Sequence, residues 1–176
     1  MPLELIIDGY NLIRQSSSLS PLDARSLEHG REALLERLAA YRKVRGHPIT
    51  VVFDGWGGFS PISTEQSKQG VQVVYTGKGE TADEWIKRRV KKVQYGAVVT
   101  SDLEIQRHAE RSGVSAIPSH VFEQRLEAAL SGDMQEMDSD DEEEWAEEEL
   151  IGSKKKGTAW RLSKQERRRQ AILKKL

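Results

Sequence analysis

Four aspartates in this chain stand where their chemistry would matter. Leu5-Ile6-Ile7 runs directly into Asp8-Gly9-Tyr10-Asn11, and Ile49-Thr50-Val51-Val52-Phe53 into Asp54-Gly55. Ala97-Val98-Val99-Thr100 leads to Ser101-Asp102, and Asp83 closes the run Gly79-Glu80-Thr81-Ala82-Asp83. Short, branched, apolar runs suit strands buried on both faces of a parallel sheet. Asp8, Asp54 and Asp102 then fall at strand carboxyl ends, the edge where open α/β sheets bind ligands. Carboxylates gathered along one edge repel and raise one another's pKa unless a cation neutralises them. Oxygen ligands of this kind suit Mg²⁺ or Mn²⁺, and Mg²⁺ keeps several waters and recruits substrate phosphates. A metal so held activates water and stabilises an in-line phosphoryl displacement. Asn11 adds a neutral ligand, or a hold on the phosphate or water. The plainer account is helix capping, because Thr81-x-x-Glu84 and Ser101-x-x-Glu104 are both capping boxes. Capping does not explain acids after three separate strands, nor the run Asp8-Gly9-Tyr10-Asn11. As a set, the acids read as a metal site.

The elements that must position these residues alternate along the chain. Ser16-Ser17-Ser18 and Ser20-Pro21 read as a loop. Residues 26–45 predict an amphipathic helix, with Leu27, Leu34, Leu38 and Tyr41 on one face and Gly46 and Pro48 as its stop. Residues 55–70, with Gly57-Gly58 and Ser60-Pro61, read as a loop, followed by a strand at 71–75. A helix opens at Thr81 and buries Trp85, Ile86, Val90 and Val93; a strand follows at 97–100 and a helix from Ser101 to about Ser112. Val114 to Ile117 is a further strand, and the helix after Pro118 carries Val121, Phe122, Leu126, Ala129 and Leu130 as its apolar stripe. Alternating strands and helices predict a parallel, doubly wound sheet closing near Gly132.

Composition narrows the function. The chain of 176 residues has no cysteine, which excludes disulfides, thiolate chemistry and cysteine-held zinc. No apolar run approaches the roughly 18 residues that span a bilayer, and no signal-like segment opens the chain, so a cytoplasmic protein without a membrane partner is expected. The turn Gly77-Lys78-Gly79 lacks the rest of a phosphate loop, so no nucleotide cofactor is expected. His29, His47, His108 and His120 share no motif, which argues against imidazole acid–base catalysis. The net charge of −1 conceals a segregation. Residues 133–149 carry eleven acids and no Lys or Arg, whereas residues 153–176 carry ten Lys or Arg and one acid, Glu166. Residues 1–132 read as the folded domain, 133–152 as a disordered acidic linker with Trp145 its one docking point, and 153–176 as a basic RNA-binding tail. In that tail Lys154, Lys155, Lys156, Arg161, Arg167, Arg168 and Arg169 would meet phosphates, and Trp160 would stack on a base. Ser163-x-x-Glu166 would cap a short basic helix ending Ala171-Ile172-Leu173. The rival to RNA is the acidic linker of the same chain, which would pair with the tail until nucleic acid displaces it.

The motifs Asp8-Gly-Tyr-Asn, Val52-Phe53-Asp54-Gly55, Gly79-Glu80-Thr81-Ala82-Asp83 and Val99-Thr100-Ser101-Asp102 occur in an order that resembles the NYN nuclease domain, in its bacterial YacP-like branch within the PIN-like superfamily. The resemblance covers about residues 3–130. It implies a Rossmann-like (PIN-like) parallel sheet with flanking helices and Mg²⁺- or Mn²⁺-dependent endoribonuclease activity, in the processing or decay of mRNA or other RNA. By position it assigns Asp8, Asp83 and Asp102 to the metal, Asn11 and Asp54 to the accompanying polar positions, and Ser101 and Glu80 as helpers. The loop Gly55-Trp56-Gly57-Gly58-Phe59 is less familiar. Two rival readings stand beside it. One is a non-catalytic RNA- or ribosome-binding module that keeps the fold, against which the intact acids argue. The other is a phosphoacceptor receiver modified on Asp54, which would want paired acids after the first strand and a lysine after the fifth; here Gly9 follows Asp8, and Pro118 follows Ile117.

Overall fold

The computed structural model describes residues 2–55, 60–132 and 163–176. Six strands form one sheet: β1 (Glu4–Asp8), β2 (Ile49–Phe53), β3 (Thr64–Lys68), β4 (Val71–Tyr75), β5 (Gly96–Val99) and β6 (Ser115–Ile117), in spatial order β3-β4-β2-β1-β5-β6. All pairings are parallel except β3 with β4. The helices are α1 (Gly9–Gln15), α2 (Ser20–Arg25), α3 (Leu27–Arg45), α4 (Ala82–Val90), α5 (Leu103–Arg111), α6 (Ser119–Ser131) and α7 (Lys164–Leu173). The chain moves outward from β1 through β2 to β4, then returns to place β5 on β1's other side. The carboxyl edge between β1 and β5 is thus a topological switch point, where such sheets bind ligands.

Strand alternation builds two apolar layers. Leu5, Ile7, Val51, Phe53, Val73 and Val99 face α1, α3, α6 and α7, while Ile6, Val52, Val74 and Val98 face α4 and α5. This is the Rossmann-like α/β architecture expected from the sequence. None of the described helices is long and apolar enough to cross a membrane.

Several local expectations are corrected. The Ser/Pro-rich stretch contains α2, because Pro21 is tolerated in a first helical turn and the buried Leu19, whose N–H donates to Ser16 Oγ at 3.1 Å, anchors its entry. The 55–70 stretch contains β3, a fully polar edge strand. Gln69 and Gly70, both at positive φ (51° and 84°), turn it back onto β4. Leu27 and Leu130 lie exposed rather than on the apolar faces of α3 and α6.

The last correction concerns the C-terminal residues. α7 is capped by Ser163 and Glu166 as the motif implies. However, it packs along β6 and delivers Ile172 and Leu176 into the main core. Tyr41 donates its hydroxyl to the Leu176 carbonyl at 3.0 Å, and burial pushes that hydroxyl's pKa above the usual tyrosine range. The apolar packing of the domain therefore does not end before Gly132.

Candidate active site

Asp8 ends β1 and serves as the N-cap of α1, its Oδ1 accepting the Asn11 N–H at 3.3 Å. Gly9 follows because a Cβ there would lie 2.3 Å from the Phe53 ring. Asp8 Oδ2 accepts the Thr100 hydroxyl at 3.2 Å, and Thr100 Oγ1 in turn accepts the Asp102 N–H at 3.1 Å. Thr100 is fully buried, and its one hydroxyl links Asp8 to the backbone of Asp102 across the β1–β5 seam. Burial is the main cause that lifts the Asp8 carboxyl from its ordinary 3.8 to about 6. The charges of Asp54 and Asp102 add to the lift, against the Asn11 and Thr100 hydrogen bonds that oppose it.

Asn11 is fixed more firmly than its sequence context implies. Its Oδ1 accepts the Ser101 N–H at 2.8 Å and the Ser119 hydroxyl at 2.7 Å. A backbone N–H can only donate, so the oxygen must face Ser101 and the amide nitrogen's two donors point elsewhere. Ser101 Oγ accepts the Ser119 N–H at 3.1 Å, which ties β5's end to the start of α6.

Asp54 Oδ1 accepts the Ala82 N–H at 2.6 Å and so holds the first turn of α4 against the end of β2. Asp83, in that turn, pairs through Oδ2 with Lys87 Nζ at 2.9 Å, while its buried Oδ1 has no partner. Lys87 also reaches Glu104, and bonds to Glu104 and Asp83 raise its pKa. Asp102 Oδ1 accepts the N–H groups of Glu104 and Ile105 at 2.8 and 3.1 Å, the N-cap of α5. Glu80 is drawn into a turn, accepting from Ser63 Oγ at 2.7 Å and from Arg88. Partial burial works to raise its carboxyl, but these two bonds hold it below the usual range.

The structure thus brings Asp8, Asn11, Asp54, Ser101 and Asp102 to one edge, with Asp83 in the helix turn that Asp54 holds. Sequence reasoning misses Thr100 and Ser119, the hydroxyls that lock this constellation. The available signal is their place, a hydroxyl residue at or just past the end of a buried strand. The tail residues Lys154, Lys155, Lys156, Trp160 and Arg161, the linker with Trp145, and the loop residues 56–59 lie outside the described residues. Arg167 and Arg168 are exposed on α7, and Arg169 is partly buried.

Among the described residues, no three His, Asp or Glu side chains are gathered closely enough to form a ready-made metal cage. The donor chemistry nevertheless fits a hard cation. The set is oxygen-only, the Asp8 carboxyl is held up chiefly by burial and to a smaller degree by the charges of Asp54 and Asp102, and Asp83 Oδ1 is buried without a hydrogen bond. Mg²⁺ is commonly held by one or two carboxylates, waters and substrate phosphates rather than by an all-protein cage.

The chain is a three-layer α/β domain with carboxylates and helix amino ends along the carboxyl edge of its sheet, and the family match makes it a nuclease-fold protein. The model of the YacP-like NYN domain matches residues 5–169, and the chain belongs to that family. The protein YacP of Bacillus subtilis (strain 168) is 36% identical over 84 residues, 48% of this chain and 49% of that protein. The match thus spans about half the length of that curated relative. The crystal structure of Rae1 (YacP) from Bacillus subtilis superposes with a TM-score of 0.63 at 26% identity, covering 86% of this chain and 88% of that one. A point-mutant crystal structure of the same protein gives 0.65 at 25% identity, covering 85% and 90%.

Proposed function

We propose that this protein is a Mg²⁺- or Mn²⁺-dependent endoribonuclease that hydrolyses RNA phosphodiester bonds. The observation that carries the reading is Asp8, a partly buried carboxylate facing two further carboxylates at the switch point of the sheet. A fold gains no stability from such an arrangement: burial penalises the charged carboxylate and the charges of Asp54 and Asp102 add to the cost, which a divalent cation would relieve. Asp8, Asp83 and Asp102 would hold the metal, which supplies charge stabilisation at the phosphate and a water of lowered pKa. The amide nitrogen of Asn11, its oxygen already engaged, would donate to a phosphate oxygen or the attacking water. Asp54 would fix the first turn of α4, and with it Asp83, at the proper distance from β1.

The amino ends of α1, α4, α5 and α6 all meet this edge and favour an anionic substrate. Purified protein should cleave single-stranded or loop RNA with Mg²⁺ or Mn²⁺ and stop in EDTA; full activity in EDTA would refute the metal requirement. The absence of a ready-made cage among the described residues and the Asp83–Lys87 pair favour a second reading, an RNA- or ribosome-binding module without catalysis. Binding of RNA with no cleavage under any divalent metal would establish that alternative.

A further inference from the structure

Across the same strand edge from the acids lies a different cluster. Ile7 and Phe53 face α1 and α3, so Asp8, the next residue in β1, faces the other way. On the Phe53 side three rings are packed together. Tyr10 meets Phe53 edge-on at 5.2 Å between centroids, and Phe53 stacks on Tyr75 at 5.7 Å. Each ring is near a site element: Tyr10 follows Asp8-Gly9, Phe53 precedes Asp54, and Tyr75 precedes the buried Thr76 that accepts the Gly55 N–H.

Two arginines sit on these rings. The Arg31 guanidinium carbon lies 5.5 Å from the Tyr75 centroid, and its Nη1 donates to the Tyr10 hydroxyl at 3.3 Å. The Arg14 guanidinium carbon lies 5.8 Å from the Tyr10 centroid. Arg37, Lys68, Lys87, Arg88 and Arg89 each close an ion pair with a carboxylate, and Arg14 and Arg31 are not among them. Asp23, whose charge reaches the Tyr10 hydroxyl, closes no ion pair with either. A guanidinium carries five N–H donors, and Arg31 spends one on Tyr10. Arginine stacked on an aromatic face is weakly hydrated and partly ordered in advance, which suits bidentate capture of a phosphate.

We propose that Arg14 and Arg31 form a phosphate-gripping pair that holds the RNA backbone at a phosphate flanking the one that is cut. The inference rests on the reading of the acidic edge as a ribonuclease site. An RNA strand crossing the sheet edge meets the acids on one side and these guanidinia on the other. The pair therefore positions the substrate and takes no part in the chemical step. Aromatic support holds both cations in place without a closed ion pair, and Asp23, the carboxylate that acts on the Tyr10 hydroxyl, leaves their remaining donors to a phosphate.

The test measures binding of a short oligouridylate in EDTA, where cleavage is suppressed, across a salt series. Arg14→Gln and Arg31→Gln should each weaken affinity by roughly tenfold at low salt, the scale of a lost charged hydrogen bond. Each should also lower the slope of log affinity against log salt by about 0.7, the share of one phosphate on a single strand. Arg31→Lys should keep most of the slope and lose part of the affinity, and it serves if Arg31→Gln fails to fold. Arg14 is exposed, so its replacement tests the pair without touching the core. With metal restored, the variants should raise KM and leave kcat within a few fold. A double variant with the wild-type salt slope, or a wild type that binds no oligouridylate, overturns the pair. Failure of the nuclease reading shows separately, as wild-type protein that binds RNA with the full slope but cuts none.

Discussion

The two edges of the sheet handle charge in opposite ways. At the amino edge Glu4, Lys175 and His47 each have a partner. Glu4 pairs with Arg89 at 2.6 Å, Lys175 donates to the Tyr95 hydroxyl at 2.8 Å, and His47 Nε2 meets the Lys175 carbonyl at 2.9 Å. At the carboxyl edge Asp8 faces Asp54 and Asp102, its carboxyl is pushed up to about 6, and a buried Asp83 oxygen goes without a hydrogen bond. The sequence supplies cations in abundance, so the difference lies in where the fold spends them. The amino edge closes the domain, whereas at the carboxyl edge Lys87 and Arg88 engage Asp83, Glu104 and Glu80 and none of the ion pairs described reaches Asp8.

The sharpest way to break this comparison is Asp8→Asn. RNA cleavage measured as initial rates with Mg²⁺ or Mn²⁺ should fall by orders of magnitude. The melting temperature at neutral pH should rise, and a fall in both would make Asp8 a structural residue. Ile172→Ala at the closed edge should do the reverse. Removing a fully packed side chain costs about 2–5 kcal/mol, read as a lower denaturant midpoint, while activity per folded molecule holds. An unchanged midpoint would show α7 to be peripheral.

A titration sharpens the contrast further. Because the folded Asp8 carboxyl binds its proton more tightly than the ordinary value of 3.8, the ionised form is the costly one. Wild-type stability should therefore decline as pH rises from about 4 to about 6 and level off above, by up to about 3 kcal/mol. Asp8→Asn should flatten that decline, and millimolar Mg²⁺ at neutral pH should raise the melting temperature of wild type but not of the variant. The smallest effect should come from Arg89→Gln, since a partly exposed pair such as Arg89–Glu4 contributes at most about 1 kcal/mol. A larger loss would mean that the amino edge relies on ion pairs rather than on packing.

The strand-end positions of Asp8, Asp54 and Asp102 are legible in the sequence because each follows a short, branched, apolar run. Asp83 is legible only through its motif, since a carboxylate in a first helical turn is equally well explained by capping. Thr100 and Ser119 escape because a hydroxyl announces no role until its partners across the sheet are known. β3 is invisible to hydrophobic patterning because none of its five side chains is apolar, and its pairing comes entirely from β4's free edge. α7 misleads for the opposite reason. Its composition is that of a solvated basic helix, yet two apolar residues, Ile172 and Leu176, suffice to seat it in the core.

That seating changes what the basic run can reach. Lys154, Lys155 and Lys156 precede Ser163 by nine to seven residues, and Ser163 is fixed to the body through α7. A fully extended chain covers at most about 3.5 Å per residue, so these lysines can travel no more than about 30 Å from the start of α7. Chain connectivity alone keeps them within that reach of one corner of the domain. If the proposed RNA met both the lysines and the acidic edge, it would have to pass within that reach of α7, and the length of the tether would set how far from the cut its backbone could be gripped.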